Sequence, residues 1–434
     1  DQDVIRAQSD ALRKSGLQEL GYNYINIDGG WHDKGGTATF DANGRPIASP
    51  AAFPDFPGTV EYIHRNKQKA GLYTVPGVST GAYDANYPIL GTPYTVRDII
   101  VAPDAGGNTG IGFGWWSYKI DYTKPGAQEY IDSIVALWAS WGIDFIKLDF
   151  VGPSSENGIE VDNRDDVKAW NAAIAKSKRA IWLELSVANG KEGVETWQKY
   201  ADGWRIDQDV ECNCKTIGEW TRVLTRFADL PEWQGTSGPG KGWLDLDGVS
   251  VGNALADGLT FEEQRTTVSL WALANSPFYI SGDIRALDAS DKALLTNKDV
   301  LAVQQSGKPA VQIIGGNTPV WASPKLDDGS YYVGLFNLNA FNAPVTLNWN
   351  QLGLTGVSSA KDLWTGKKVQ TTGSGIIVLG IPAEPLFRSI AVLRSPRAVA
   401  PRIPHPARPM RPRRLCCPVL LRLSRTPQLQ VASA

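Results

Sequence analysis

Trp141-Gly142-Ile143-Asp144-Phe145-Ile146-Lys147-Leu148-Asp149-Phe150 is the stretch around which the rest of the chain can be laid out. Ile143, Phe145, Ile146 and Leu148 form a short apolar run entered from a helix end at Gly142. A run this short, bounded by a turn signal and rich in bulky side chains, reads as a buried parallel strand. It finishes on Asp149, where the strand should leave the core, and Lys147 two residues earlier points to the same face. In a parallel barrel or open sheet, the C-terminal edge of the strands is where chemistry is done. One such Asp is ordinarily a solvated strand end. Here the pattern recurs.

Upstream, helical spacing over 2–16 is followed by the strand-like Tyr22-Asn-Tyr-Ile-Asn-Ile27, which ends on Asp28-Gly29-Gly30-Trp31. A second helix is expected over 54–69, then a strand over 70–75 that delivers Tyr73. The aromatic, Gly-rich stretch 77–117 is too long for an ordinary connection and is expected to loop over the site. Downstream, helices are expected over 124–140, 162–179, 191–200, 215–228 and 261–275. Strands are expected over 180–183 (ending on Glu184), 203–206 (ending on Asp207-Gln208-Asp209), 243–247 (with Asp245 and Asp247) and 278–281. Four successive strands thus end on carboxylates, and strand alternates with helix as βαβ units require. After residue 296 the pattern changes to alternating strands joined by turns, an antiparallel sandwich. The expected organisation is a barrel domain over 1–296, a β-sandwich domain over 297–395 and a tail over 396–434.

The 434 residues carry a formal net charge of −2, which conceals a division. Eight arginines and no Asp, Glu or Lys lie beyond Pro396, which leaves residues 1–395 with 35 basic against 45 acidic side chains. An acidic body gives no reason to expect nucleic acid or an anionic membrane as partner. The Arg/Pro tail reads as a disordered or out-of-frame extension. No apolar run reaches the length of a membrane span. Cys212 and Cys214 stand as a lone C-x-C pair, and His32, His64 and His405 have no ligand spacing, so no metal is expected. The 16 tryptophans include candidate platforms for sugar rings, although core packing accounts for most of them.

The motifs now in place resemble those of glycoside hydrolase family 27, best known for α-galactosidases. Asn26-Ile27-Asp28-Gly29-Gly30-Trp31 is similar to the family's Asn-Ile-Asp-Asp-Cys-Trp, Gly71-Leu72-Tyr73 to its Gly-Ile-Tyr, and Lys147-Leu148-Asp149 to its nucleophile strand. Glu184, the pair Arg205 and Asp209, Asp245-Leu-Asp247 and Thr260-Phe-Glu-Glu-Gln-Arg265 follow in matching order over roughly 1–395. The resemblance implies an α/β fold, a (β/α)8 TIM barrel followed by an antiparallel β-sandwich, and a secreted retaining exo-glycosidase without cofactor. Its partner would be a carbohydrate substrate. Asp149 would be the nucleophile and Asp209 the general acid/base, with Asp207 as the rival acid. Asp28, Trp31, Tyr73, Lys147, Glu184 and Arg205 would bind the sugar, Glu184 at the 2-position.

Three departures qualify the expectation. The chain starts at the first helix, so the barrel is expected to lack its first strand and that strand's sugar-stacking Trp. Gly29 replaces the second Asp of the pair that grips the galactose 4- and 6-hydroxyls, a loss of roughly 1.5–3 kcal/mol for a charged acceptor. That opens the site to β-L-arabinopyranosides or α-glucosides, or leaves an impaired sugar-binding fragment. Phe150 and Gly30 stand where the family has cysteines, so its bracing disulfides are not expected.

Overall fold

The computed structural model describes residues 1–32, 38–101, 117–154, 161–211, 218–252, 258–357, 359–381, 390–394 and 417–421. Its first domain is a parallel sheet of β1 (Tyr22–Ile27), β2 (Lys69–Thr74), β3 (Phe145–Leu148), β4 (Trp182–Leu185), β5 (Gly203–Arg205) and β6 (Trp243–Asp245), adjacent in that order. A parallel bridge from Gly248 to Tyr279 continues the series, so the expected strand over 278–281 is present only as this contact. Helix α1 (Gln2–Lys14) precedes β1, and the strands are followed in turn by α2 (Phe56–Arg65), α3 (Ala127–Trp141), α4 (Arg164–Ser177), α5 (Val194–Tyr200), α6 (Trp220–Asp229) and α7 (Phe261–Ala274). Helix α3 shows why: Ala127, Tyr130, Ile131, Ile134, Val135 and Trp138 fall on one buried stripe, the apolar face that a helix lays on a sheet. Gly142, at φ 93°, stops it in a left-handed turn where a Cβ would strain the chain. The chain then enters β3.

Where the boundaries differ from expectation, local chemistry decides. Helix α2 stops at Arg65 rather than 69, because Lys67 turns at φ 60° and Gln68 is drawn inward to Ser9, which donates to its Oε1 at 2.6 Å. Strand β4 runs two residues further along than expected, which puts Glu184 inside the strand. Among the described residues of the tail, β15 (Cys417–Leu421, numbered after the sandwich strands) lies parallel beside β1. The neighbouring β1 edge offers a row of unpaired donors and acceptors, and an edge strand tolerates Pro418. The rest of the tail, 102–116 of the long loop, and Cys212 and Cys214 lie outside the described residues.

The barrel interior is layered. Tyr24, Phe145 and Tyr279 pack together near the entry end of the strands, with ring centroids 6.0 and 6.4 Å apart. Above them the interior turns polar. Cross-strand register places Tyr73 opposite Lys147 and Lys147 opposite Glu184, so one row spans three strands. Gly203 completes it, because a Cβ there would stand 2.3 Å from Glu184 Oε2.

The second domain pairs β7 (Val311–Ile314), β8 (Val320–Ala322), β9 (Ser330–Leu335), β11 (Ser359–Asp362), β12 (Lys368–Val369) and β14 (Ile390–Arg394) in one antiparallel sheet. A second sheet joins β10 (Ala343–Asn348) to β13 (Gly375–Ile381). Alternate residues of β10 are buried, as one covered face requires. The domain docks on α6 and α7. Phe227 meets Phe336 edge-on at 5.0 Å, and Trp364 Nε1 donates to Ser269 Oγ at 3.0 Å.

Candidate active site

Strand ends β1, β3 and β5 bring the polar groups together. Lys147, near the top of β3, donates to Asp28 Oδ2 at 3.0 Å and lies 3.9 Å from Asp149 Oδ2. Its ammonium is 5.3 Å from the centroid of the Tyr73 ring, within cation–π range. Burial alone would lower its pKa, but Asp149 and then Asp28 outweigh that and hold it above its ordinary value. Asp28 also accepts from the Gly29 amide at 2.8 Å. Asp149 is 8 % exposed, and its Oδ1 is buried without a hydrogen-bond partner among the described residues.

Arg205 is the second buried cation. It donates to Asp209 Oδ1 at 2.6 Å and lies 3.2 Å from Asp247 Oδ1. Burial opposes its charge, yet Asp247, Asp209 and Asp149 hold its pKa well above the ordinary value. Both Asp149 and Asp209 act electrostatically on Lys147 and on Arg205, so the two carboxylates flank a shared pair of cations. The Asp209 side chain is 31 % exposed, whereas Asp207 is buried against Arg226 and accepts from Thr225 Oγ1 at 2.5 Å. Asp207 is thereby committed to structure.

Beneath this layer, Asp247 accepts from the Val210 amide at 2.8 Å, and Asp245 from the Asp247 amide at 2.7 Å. Burial would raise Asp247, but Arg205 and Arg226 bring it down. Asp245 is driven up by burial and by Asp247.

Two residues expected to contact the sugar are buried. Trp31 is fully buried, donates to the Tyr73 carbonyl at 2.8 Å and packs edge-on against Trp138 at 5.7 Å. Its indole has no face to offer; it supports β2 from behind. Glu184 is 1 % exposed, accepts from Trp182 Nε1 at 2.7 Å, and has Tyr279 beside it. Burial, then the charge of Asp245, pushes it well above the ordinary carboxylate range, which favours a neutral group deep in the barrel. Ser186, two residues on and therefore on the same face, reaches the level of Asp149, since its amide donates to the Leu148 carbonyl at 3.0 Å. Its hydroxyl is buried without a partner among the described residues. The two-residue offset in β4 hid Ser186 from sequence reasoning. The apolar Leu185 directly after Glu184 was the signal available.

The family profile described as "Alpha galactosidase A" matches residues 1–96 and 110–306, and that of the "Alpha galactosidase C-terminal beta sandwich domain" matches 315–384. The chain belongs to the α-galactosidase family, glycoside hydrolase family 27. It is 30 % identical over 371 residues to an α-galactosidase of Cyamopsis tetragonoloba, covering 84 % of this chain and 75 % of that one. It is 28 % identical over 377 residues to an α-galactosidase of Oryza sativa subsp. japonica, covering 85 % and 76 %. In structure it resembles a family 27 β-L-arabinopyranosidase of Geobacillus stearothermophilus, solved with arabinose, at a TM-score of 0.81 and 24 % identity over 92 % of this chain and 94 % of that one. The barrel-plus-sandwich architecture expected from the sequence is the architecture of this family member.

Proposed function

We propose that this glycosyl hydrolase is a retaining exo-glycosidase acting on terminal α-galactosides, with Asp149 as nucleophile and Asp209 as general acid/base. The observation that carries the reading is the flanking of Lys147 and Arg205 by these two carboxylates, one of which keeps a buried oxygen uncommitted. In a retaining mechanism one carboxylate attacks the anomeric carbon while the other protonates the departing oxygen. The roles then change: Asp209 takes a proton from water, the water oxygen bonds to the anomeric carbon, and Asp149 leaves. Lys147 balances the charge of Asp149 and, with Asp28 and Tyr73, faces the sugar hydroxyls. Ser186 takes the place first given to Glu184.

A second glycone is favoured by one position. Among the described residues, a Cβ on Gly29 would meet the Tyr73 ring at 3.8 Å and no polar group within 4 Å that could hold an exocyclic hydroxymethyl group. A β-L-arabinopyranoside, which lacks that group, suits the space. Initial rates on aryl α-galactoside, β-L-arabinopyranoside and α-glucoside decide between the glycones. Turnover of the galactoside at a small fraction of the arabinoside rate would reverse our order of preference, and calorimetric binding without turnover of any of them would mark a sugar-binding protein. We also propose that the protein acts after secretion, as the family resemblance suggests. Activity confined to cells of the source organism, with none in the medium, would refute that.

A further inference from the structure

The acid/base assignment raises the question of what fixes Asp209, which stands on a loop beyond β5 rather than within a strand. Its carboxylate is held by Arg205, and the next amide, that of Val210, is held by Asp247. The loop's backbone carbonyls are gripped from α6. Arg222 Nη1 donates to the carbonyl of Asp209 itself and to that of Glu211, both at 2.7 Å. One turn later, Arg226 donates to the carbonyl of Gln208 and pairs with Asp207. Positions i and i+4 share a helix face, so the two arginines together hold three carbonyls of the same loop, those of Gln208, Asp209 and Glu211.

They are not equivalent. Arg226 is 1 % exposed and paired, and removing it strands a buried carboxylate. The Arg222 side chain is 35 % exposed and, among the described residues, has Glu219 as its ionic neighbour, at a distant 3.9 Å. Its two short bonds therefore act on the loop more than on the core. The geometry points to Arg222 as a positioning residue: by fixing the peptide that carries Asp209 and the one two residues on, it sets the direction of the acid/base carboxyl. The inference rests on the proposed role of Asp209.

Acid catalysis depends on the carboxyl reaching the leaving oxygen at hydrogen-bond distance, and a leaving group of low pKa departs without that proton. The test uses the full chain, wild type and the variants R222M, R222K and D209A, with methyl and 2,4-dinitrophenyl α-galactoside as substrates. General acid catalysis is worth about 10²–10⁴-fold, and R222M is expected to lose about 10- to 100-fold of kcat/KM on the methyl glycoside. On the dinitrophenyl glycoside it should stay within about threefold of wild type, because that leaving group needs little acid assistance. R222K, which keeps a donor, should fall between, and it carries the comparison if R222M does not fold. D209A should show the same selectivity more strongly. Equal losses on both substrates in the Arg222 variants, or no loss on either, overturn the positioning role. Equal losses in D209A overturn instead the acid/base assignment beneath it.

Discussion

Arg205 spans Asp209 and Asp247 while Lys147 spans Asp28 and Asp149, and the charges of Asp149 and Asp209 act on both cations, which links the two acidic groups. Both cations lie in the barrel interior, where a lone charge is costly and a paired one is retained. Asp149→Ala is accordingly expected to abolish turnover while leaving a folded protein, and added azide should restore product as the azide of inverted anomeric configuration. Activity surviving in Asp149→Ala without azide contradicts the nucleophile. For Glu184 the structure sets the opposite expectation. Glu184→Gln should keep KM within about threefold, whereas Ser186→Ala should raise it about tenfold, the scale of one lost hydrogen bond in a closed site. A rise in KM confined to Glu184→Gln would return the sugar contact to Glu184. The placement of the candidate residues was legible one by one: Asp28, Tyr73, Lys147, Asp149, Arg205 and Asp209 stand in or just beyond the C-terminal halves of strands that apolar runs announce. The depth of Glu184 and Trp31 was not legible, because motif position does not report burial. A Trp can face a sugar or pack behind a strand, and only the layering of Trp138 and Phe56 against Trp31 decides.

At the scale of elements, the turn after β3 is tied to α4. The Gly152 amide donates to Asn163 Oδ1 at 2.9 Å, Asn163 Nδ2 to Asp166 Oδ2 at 2.9 Å, and Tyr122 to Asp166 Oδ1 at 2.9 Å. Burial pushes Asp166 up to about 6. A carboxyl raised in the folded state binds its proton more tightly there than in the unfolded chain. Its contribution to stability is therefore complete in acid and lost as pH rises from about 4 through about 6, up to roughly 3 kcal/mol for a shift of two units. Asp166→Asn removes the titration. The difference in unfolding free energy between wild type and variant should change over that window in wild type's disfavour, and urea titrations at pH 4.5 and 7 measure it. Parallel pH profiles would contradict the assignment. The boundaries of α2 and β4 were not legible, because one depends on Gln68 reaching Ser9 and the other on interior polar packing, both set by distant chain.

The whole molecule is a barrel braced by its sandwich, and the alternation of strand and helix followed by alternating short strands made that division readable. The tail strand was not, because Arg/Pro composition gives no strand signal and only the exposed edge of β1 creates a partner for it. The brace centres on Phe336, fully buried against Phe227. Phe336→Ala should cost about 3–5 kcal/mol with kcat unchanged at a temperature where the variant is folded. A cost below about 1 kcal/mol, outside the range for a buried Phe, would mean the domains are not coupled there. The most direct test of the account traps the covalent intermediate. Incubation with 5-fluoro-α-D-galactosyl fluoride, followed by peptic digestion and mass spectrometry, should place a single fluorosugar on the peptide that contains Asp149. A label on any other carboxylate, or turnover of α-galactosides with no label anywhere, would contradict it.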